Sequence, residues 1–505
     1  MSAGQPVRLD LDGLRGELAA SPGAARLRSL GLGRVIEGDG ALDQLARAVA
    51  DFPGSGAGVV VLAAATPMSV GGRNLRAEAT EVLGRGFGVS WVPLGPPDGQ
   101  VHADETTVAA ARKAAEGAGC VVTVGSGTIT DIGKATAGDG TPLVVVQTAT
   151  SVNGYADPFS VLLHNGVKRT SASRWPDALL IDPAILSAAP AGLNRAGVGD
   201  LASMFSSTAD WYLASVVGTD PSYDQAVTGL SRRHGDRLMA LAAGLESGPG
   251  TRSGPGTESG PDAEFSLSEL ARILTLSGIA MGVAGSTAPS SGMEHAISHL
   301  LEMTDTARGR YGSLHGTKVG VASIVANATW AHVRSKIGEG ALGRPAAIPD
   351  PDQARERISQ AFKGIDAGGA MAAECFADYA RKLQKLTSQP DPLAALRADW
   401  EIHDAALGEM LTSPAELASA LGSAGLPVRF GALPDPVGDD EARWAVASCA
   451  LLRHRFGVAD LAELLGCWAD DDVDQVLADA AVLADAAGLG GAAGLGGAAV
   501  IGGQA

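Results

Sequence analysis

The sequence contains few aromatic residues and few cysteines. Aromatic residues make up 4% of the 505 positions, and there are only four cysteines. The cysteines are far apart along the chain, whereas zinc knuckles and disulfide frameworks need closely spaced ones, so neither is predicted. We expect each thiol to be a small buried side chain in a reducing compartment, the cytoplasm. The four are Cys120, Cys375, Cys449 and Cys467.

The chain also lacks a run of basic residues. Its 38 Lys and Arg are outnumbered by 56 Asp and Glu, which gives a formal charge of −18. This excess of negative charge repels nucleic-acid phosphates and anionic lipids, so we predict neither a nucleic-acid nor a membrane partner. Charged residues occur near the N-terminus, where a signal peptide needs an apolar core. The length and the 46% hydrophobic content allow at least two packed domains.

Between residues 33 and 190, short apolar runs alternate with helical patterns. This alternation, with glycines at the ends of the runs, predicts βαβ units on a parallel sheet. Such a sheet is a nucleotide-binding architecture, although it hosts many functions. The predicted strands cover residues 35–36, 59–64, 89–92, 121–124 and 143–147, and the predicted helices cover residues 42–49, 74–83, 105–116 and 130–137.

Helical periodicity replaces the strand pattern after about residue 191. The fold class that we predict is therefore an α/β, Rossmann-like N-terminal domain followed by an all-α C-terminal domain. Its helices include residues 200–216, 267–281, 293–302 and 318–333. The predicted organisation is an N-terminal extension at 1–30, a nucleotide-binding domain at 31–190, a helical metal-binding domain at 191–483 with a flexible Gly/Ser/Pro insertion at 244–262, and a low-complexity tail at 484–505.

A glycine-containing turn follows the fourth predicted strand and leads into a helix that contains Asp131. Glycines let a backbone approach an anion, and the free amides at the start of a helix attract a pyrophosphate. In a chain with 68 glycines, an ordinary turn is the stronger interpretation of this motif alone. The turn consists of Gly125, Ser126, Gly127 and Thr128.

The next predicted strand ends in hydroxyl residues, among them Thr148 and Ser151. Doubly wound sheets bind their ligands at the carboxyl ends of neighbouring strands. Two consecutive strand ends with groups that suit a phosphate or a ribose make cofactor binding as plausible as an ordinary turn.

Three polar residues in the helical half suggest a metal site: Asp200, His295 and His315. One carboxylate and two imidazoles suit a divalent ion such as zinc, iron or nickel. His299 lies one helical turn after His295, so both side chains can face one cavity. Each histidine alone is better explained as a structural side chain. The set is better explained as ligands, because burial of several unpaired polar groups is costly.

Taken together in order and spacing, these motifs resemble the sn-glycerol-1-phosphate dehydrogenases of the iron-containing alcohol dehydrogenase and dehydroquinate synthase superfamily. The resemblance covers about residues 30–335 and implies the dehydroquinate synthase-like fold, with a divalent metal between the two domains. It rests on Gly125-Ser-Gly-Thr with Asp131, Thr148-Ala-Thr-Ser-Val-Asn-Gly-Tyr155, Gly197-Val-Gly-Asp200, Ser291-Gly-Met-Glu-His-Ala-Ile-Ser-His299 and Leu314-His-Gly-Thr-Lys-Val-Gly320.

The resemblance also implies roles for individual residues. It assigns Asp200, His295 and His315 to the metal, and the turn at residues 125–128 to the cofactor pyrophosphate. It assigns Thr148 and Ser151 to the nicotinamide half of the cofactor. His299 matches a position near the substrate, as does Lys168, for which a surface β-turn is an equally good interpretation.

Three positions depart from the family pattern. Asn153 replaces the usual Asp at a substrate position, which predicts a changed substrate. Thr317 replaces a Glu that follows the His-Gly pair. Asp157 occupies a position that often has a small hydroxyl residue, and we expect it to alter cofactor contacts.

The predicted activity is that of an NAD- or NADP-linked, metal-dependent dehydrogenase of a secondary alcohol, which in reverse reduces a ketone such as dihydroxyacetone phosphate. One divalent ion is expected per chain. The substrate is a small alcohol or ketone, with or without a phosphate, and we expect a homo-oligomer.

Two alternatives remain: a dehydrogenase of the same class acting on another alcohol in a specialised biosynthetic pathway, and a lyase or cyclase of the dehydroquinate synthase type. A binding protein without activity is disfavoured by the complete Asp/His/His set.

Overall fold

The computed structural model describes residues 9–97, 101–138, 140–164, 166–233, 235, 237–239, 242 and 262–484. The strands in this part of the chain are β1 (Arg34–Glu37), β2 (Val59–Ala64), β3 (Ser69–Val70), β4 (Arg73–Asn74), β5 (Val89–Leu94), β6 (Cys120–Gly125), β7 (Leu143–Gln147), β8 (Phe159–His164), β9 (Val167–Ala172) and β10 (Ala178–Ile181).

Six of these strands form one sheet in the order β1-β10-β7-β6-β2-β5, and every neighbouring pair is parallel. Every residue of β6 and β7 is buried, as expected for central parallel strands covered on both faces. In the register of this pair, Gly125 is opposite Gln147. The loops that follow the two strands therefore start side by side, as the sequence predicted.

The five predicted strands are present, but five further strands of the α/β part were missed. Strand β10 completes the sheet between β1 and β7, the short strands β3 and β4 pair with each other, and β8 and β9 form a separate antiparallel hairpin. The hairpin strands are only partly buried and alternate weakly in polarity, so they do not give the apolar run by which the other strands were found.

The elements described after Ile181 are helical, which confirms the predicted fold class. The α-helices that lie entirely within the described residues are α1 (Leu11–Ala19), α2 (Leu45–Ala50), α3 (Leu75–Gly84), α4 (Glu105–Ala114), α5 (Gly127–Ala137), α6 (Pro183–Ala188), α7 (Ala191–Leu201), α8 (Ser207–Val216), α9 (Gln225–Arg232), α10 (Asp262–Ala284), α11 (Met293–Ala307), α12 (His315–Gly338), α13 (Pro351–Phe362), α14 (Ala370–Thr387), α15 (Ala394–Ala398), α16 (Trp400–Gly408), α17 (Pro414–Ser423), α18 (Asp439–Ser448), α19 (Val458–Leu464) and α20 (Asp470–Ala484).

The continuous helix predicted over residues 200–216 is wrong. A 3₁₀ turn, Ala202–Phe205, separates α7 from α8. Within it, the Ser203 hydroxyl donates to the Asp200 carbonyl at 2.6 Å, and the Ser206 hydroxyl donates to the Ser203 carbonyl at 3.3 Å. Hydroxyls that bond to nearby carbonyls compete with the helical pattern, which explains the interruption directly after Asp200.

The described part of the predicted N-terminal extension packs against the α/β core, because Leu11, Leu18 and Leu30 belong to a buried cluster that includes sheet residues. Among the described residues, one helical window, Leu267–Ala284, is long and apolar enough to span a membrane by composition, and 94% of it is buried inside the protein. The predicted insertion and tail fall outside the described residues, except for residues 262 and 484. All four cysteines are buried and free, as predicted.

Candidate active site

Close packing of two helices brings Asp200 and His315 together. Asp200 lies in the last turn of α7, and His315 is the first residue of α12. A Cβ atom at Gly199 would lie 2.2 Å from the Gly316 carbonyl oxygen, and one at Gly316 would lie 2.0 Å from the Ala196 carbonyl oxygen. Only glycine permits this backbone approach. The glycines that flank the two polar residues therefore set the distance between their helices.

Asp200, His295 and His315 converge on one point. Asp200 Oδ1 lies 3.4 Å from His295 Nε2 and 3.7 Å from His315 Nε2. One ligand atom from each residue lies within 4.8 Å of the others. Although burial opposes ionisation, the neighbouring imidazole of His295, 3.4 Å away, holds the pKa of Asp200 below its ordinary value. A carboxylate and two imidazoles thus surround one point from three sides.

Each imidazole of this group is oriented by a glutamate. His295 Nδ1 is 2.9 Å from Glu294 Oε1, and His315 Nδ1 is 2.8 Å from Glu302 Oε1. Asp200 Oδ1 is buried and has no hydrogen-bond partner. With a proton on each Nδ1, both Nε2 atoms can act as ligands beside this free oxygen. Carboxylates that hold metal-binding imidazoles in this way are common around divalent ions, so the group fits such an ion.

His299 is the third imidazole of the cluster. Its ring centroid is 6.1 Å from that of His295 and 5.5 Å from that of His315. Burial, and then the charge of Lys168, lowers the pKa of His299 well below its ordinary value. His299, Glu302 and His315 form a second group with metal-binding spacing. Within that group Glu302 and His315 already bond to each other, so the first group is the better site for an ion.

A cavity of about 300 Å³ adjoins these residues. It is lined by all three imidazoles together with Asp200, Asn153, Lys168 and the turn residues Ser126, Gly127 and Thr128. The fold therefore brings the predicted metal ligands, the predicted substrate residues and most of the predicted pyrophosphate turn to one cleft.

The turn itself leads directly into α5, which begins at Gly127. The side chain of Ser126, the residue before the helix, does not cap the first amides of α5, which is the end of a helix that attracts anions. A Cβ atom at Gly127 would lie 2.4 Å from Val152 Cγ2, and one at Gly125 would lie 2.5 Å from Ile129 Cγ1. Gly125 is not among the residues that line the cavity. Both glycines are therefore needed for packing, whatever the turn binds.

A buried lysine connects two of the predicted cofactor residues. Lys134 Nζ lies 3.1 Å from Asp131 Oδ1 and 3.0 Å from Asp157 Oδ1. It also donates to the carbonyls of Gly154 and Phe159. Burial raises the pKa of Asp131 to about 6. Asp157 lines the cavity, but its carboxylate has a structural partner in Lys134, which couples the turn to the loop after β7.

The two hydroxyl residues at the end of β7 differ in position. Ser151 lines the cavity, and its Oγ is 3.1 Å from the hydroxyl of the buried Tyr155. Thr148 is buried, and its backbone amide donates to the Gly125 carbonyl. Thr148 is not one of the described residues that line the cleft. The structure thus brings Ser151, but not Thr148, to the cavity wall.

Asn153 and Lys168 both have partners in other elements. The Asn153 backbone amide donates to Asp200 Oδ2 at 2.9 Å, and its Nδ2 donates to Ser277 Oγ at 3.1 Å. Lys168 lies in β9, and its Nζ is 2.6 Å from Glu302 Oε2. Because Glu302 also contacts His315, Lys168 is linked through one carboxylate to the metal group.

Several residues around the site were missed in the sequence. Glu294 and Glu302 lie on the same helix as His295. Glu294 directly precedes His295 and Glu302 follows it by seven residues, and this spacing could have indicated that both carboxylates lie near the imidazole. For Arg453 and Arg455, which lie far along the chain, the sequence contains no such signal. Arg453 donates to Ser291 Oγ at 3.0 Å, and Arg455 donates to the Ser291 carbonyl at 2.8 Å, so both support the turn before α11.

Comparison with known proteins agrees with the fold and motifs. Residues 36–190 match the model of a family described as iron-containing alcohol dehydrogenase. The chain is 30% identical over 282 residues to a glycerol-1-phosphate dehydrogenase [NAD(P)+] from Bacillus velezensis, with 54% of this chain and 64% of that protein covered. It is 29% identical to one from Methanothrix thermoacetophila, with 65% and 88% covered. The chain thus spans just under two thirds of the length of the Bacillus velezensis relative.

Solved structures extend the likeness over most of the chain. A probable glycerol dehydrogenase from Sinorhizobium meliloti aligns with a TM-score of 0.55 at 18% identity, covering 90% of this chain and 99% of that one. An iron-containing alcohol dehydrogenase from Corynebacterium glutamicum aligns with a TM-score of 0.53 at 16% identity, covering 90% and 95%. At these identities the likeness concerns the fold. Residues 36–190 are thus similar in sequence to the iron-containing alcohol dehydrogenase family, and nine tenths of the chain has the same fold as these solved structures.

Proposed function

We propose that this protein is a metal-dependent, NAD(P)-linked dehydrogenase of a secondary alcohol, which in reverse reduces the corresponding ketone. The observation that carries the proposal is the arrangement of Asp200, His295 and His315, whose ligand atoms lie within 4.8 Å of one another beside the cleft. The relatives named as glycerol-1-phosphate dehydrogenases [NAD(P)+] support the same class of reaction. Glycerol 1-phosphate and dihydroxyacetone phosphate are accordingly the first substrates to test.

In this proposal Asp200, His295 and His315 hold one divalent ion, of zinc, nickel or iron. When bound, the ion would supply Lewis acidity, and the nicotinamide cofactor would supply hydride-transfer chemistry. Glu294 and Glu302 keep a proton on Nδ1 of each imidazole, so that Nε2 faces the ion.

The other cleft residues bind and orient the reactants. The amides at the start of α5, within the turn at residues 125–128, bind the cofactor pyrophosphate, and Asp131 and Ser151 contact the rest of the cofactor. Thr148 and Asp157 act indirectly, by supporting that turn and Lys134. Burial lowers the pKa of His299, so its imidazole is neutral at physiological pH and can accept a hydrogen bond from the substrate hydroxyl.

Asn153 supports one alternative, a dehydrogenase of the same class that acts on a different alcohol. The side chain is neutral where the resembled family usually has a carboxylate, and it lines the cleft. The reaction type is unchanged in this alternative. Only the groups that the substrate presents to Asn153 differ.

The test is a cofactor assay on purified protein loaded with zinc, nickel or iron in turn. We expect reduction of NAD⁺ or NADP⁺ with at least one secondary alcohol, and loss of turnover in His315→Ala. The matched control is His164→Ala, which removes a half-exposed histidine that pairs with Glu105 and does not line the cleft. Equal turnover in wild type and His315→Ala, or no turnover with any metal, cofactor and alcohol, would refute the proposal.

A further inference from the structure

Two arginines behind the cleft wall hold the turn that precedes α11. Arg453 donates to Ser291 Oγ at 3.0 Å and to the Gly292 carbonyl at 2.6 Å. Arg455 donates to the Ser291 carbonyl at 2.8 Å and to Thr287 Oγ1 at 2.7 Å. All four acceptors are neutral oxygens, and two of them belong to one serine. The two guanidinium groups therefore lie close to each other.

Neither guanidinium group has a carboxylate within 4.0 Å in the described part of the chain. Burial, and then the charge of Arg453, lowers the pKa of Arg455 to about 9. Burial lowers the pKa of Arg453 as well. Two neighbouring cations that are partly removed from water and have no counter-ion at close range are costly. An anion bound beside them offsets that cost.

A cavity of about 40 Å³, here called the arginine cavity, adjoins both side chains. Among the described residues, only Ser291 lines both this cavity and the cleft. A guanidinium group has five N–H donors, and each of these two donates two hydrogen bonds to the turn. No nitrogen of either arginine is a buried atom without a partner. The remaining donors are therefore open to the cavity or to solvent.

Three aspartates also line the arginine cavity, and each is bound by groups other than the two arginines. Asp210 accepts hydrogen bonds from two backbone amides and an indole N–H, and burial raises its pKa to about 7. Asp460 pairs with the buried Lys382, and Asp220 accepts from the amide and the hydroxyl of Ser222. The charges of the arginines thus remain uncompensated at salt-bridge distance.

We propose that the arginine cavity binds a small, singly charged oxyanion through the guanidinium groups of Arg453 and Arg455. Their forked N–H donors match the two oxygens of a carboxylate or of bicarbonate. One water needs about 10–15 Å³ of such space, so the cavity has room for about three. Formate, acetate and bicarbonate are of this size, whereas a nucleotide is not. This site lies outside the cleft, and its occupancy does not depend on the proposed dehydrogenase function.

The turn that the arginines hold connects the arginine cavity to the metal group. The Gly292 amide donates to Glu294 Oε1 at 2.6 Å, and the same oxygen lies 2.9 Å from His295 Nδ1. An anion that fixes the two arginines also fixes this turn, and its charge offsets the positive charge behind the cleft wall. A bound anion therefore favours a cation in the cleft. By linkage, the cation increases the affinity for the anion by the same factor.

Calorimetry of the metal-loaded full chain with formate, acetate and bicarbonate tests the site, and the tightest binder of the three identifies the anion. We expect saturable binding of about one anion per chain. Arg455→Gln should weaken it about tenfold or more, because a charge-assisted bond is lost. The control is Arg334→Gln, which removes a partly exposed arginine outside the cavity wall. Binding that does not saturate, or that is equally tight in Arg455→Gln, overturns the proposal.

A second variant tests the cavity without changing either arginine. Ala214→Val adds two methyl groups to the wall of the arginine cavity, so we expect anion binding to be lost. This variant keeps the test decisive if Arg455→Gln does not fold, since Arg455 supports the turn. Anion affinity equal to wild type in folded Ala214→Val overturns the assignment of the anion to this cavity.

Metal affinity tests the connection to the cleft. Competition with a chelator of known affinity is measured in the presence and absence of the tightest-binding anion. We expect the anion to raise the metal affinity of wild type several-fold and to leave that of Ala214→Val unchanged. Equal metal affinity of wild type under both conditions overturns the coupling. Because metal and anion are both measured by binding, failure of the dehydrogenase assay does not affect either result.

Discussion

The backbone amide of Asn153 donates a hydrogen bond to Asp200 Oδ2 across 2.9 Å. This bond ties the loop after β7 to the last turn of α7, and it leaves Asp200 Oδ1 facing His295 and His315. The Asn153 side chain donates in turn to Ser277 on α10. One residue thus connects the α/β sheet, the carboxylate of the metal group and the helical half.

Replacement of Asn153 by Asp should change substrate preference. The variant places a second carboxylate beside Asp200 and replaces a donor with an acceptor. A mispaired buried polar group costs about 1–3 kcal/mol, so we expect the ratios of kcat/KM within a panel of alcohols and ketones to shift tenfold or more. Ser277→Ala is the control, since it removes the same hydrogen bond without adding charge. Identical ratios in wild type and Asn153→Asp would show that the residue is a neutral replacement.

Removal of an imidazole should abolish metal binding. In His295→Ala and in His315→Ala one of three ligands is lost, so we expect the bound ion to fall from about one per chain to a small fraction. Elemental analysis after dialysis measures the metal, and circular dichroism checks that the sheet remains folded. His164→Ala should keep the metal. Full occupancy in both cleft variants would exclude these residues as ligands.

The glutamate behind His295 should matter less than the histidine but still measurably. Glu294→Gln keeps the shape of the side chain but weakens its hold on the proton at Nδ1 of His295. Loss of such a supporting carboxylate typically lowers metal affinity about 10- to 100-fold. Competition with a chelator of known affinity gives the number. An affinity within twofold of wild type would mean that Glu294 serves the fold alone.

The turn at the start of α5 permits a test that separates packing from binding. Gly127→Val should weaken cofactor binding at least tenfold, or about 1.4 kcal/mol, because its side chain blocks access to the amides. It also collides with Val152, whose Cγ2 lies 2.4 Å from the added Cβ. Gly127→Ala with Val152→Ala relieves that collision. We expect thermal stability to recover in this double variant while calorimetry still shows weaker cofactor binding than in Val152→Ala, and equal binding would make the turn purely structural.

Asp210 should make the protein less stable as pH rises. Burial, and then the charge of Glu294, raises its pKa from 3.8 to about 7. Because the folded state holds this proton more tightly than the unfolded state, stability falls between about pH 4 and pH 7. Asp210→Asn removes this contribution, so its unfolding free energy should fall less over that range, by about 1.4 kcal/mol or more. Urea denaturation at pH 5 and pH 7 measures both, and parallel pH dependence would refute the assignment.

The sequence alone predicted much of the architecture. Val-rich runs bounded by glycine identified β2, β6 and β7, because central parallel strands are buried on both faces and need apolar residues throughout. The polar residues of the cleft were found because few functional groups interrupt such apolar surroundings. This is how Asp200, His295 and His315 were found. The order and spacing of the motifs predicted the roles of the other cleft residues.

Only the tertiary structure decided which of these residues meet. Thr148 and Ser151 follow the same strand, yet only Ser151 reaches the cavity, because the direction of a side chain depends on the path of the loop. Lys168 contacts Glu302 across 134 positions, and Arg453 supports Ser291 across 162. Local patterns encode helices and strands through nearest neighbours, whereas these contacts arise from the packing of distant elements. The convergence of Asp200, His295 and His315 with Asn153 in one cleft therefore became visible only in the folded chain.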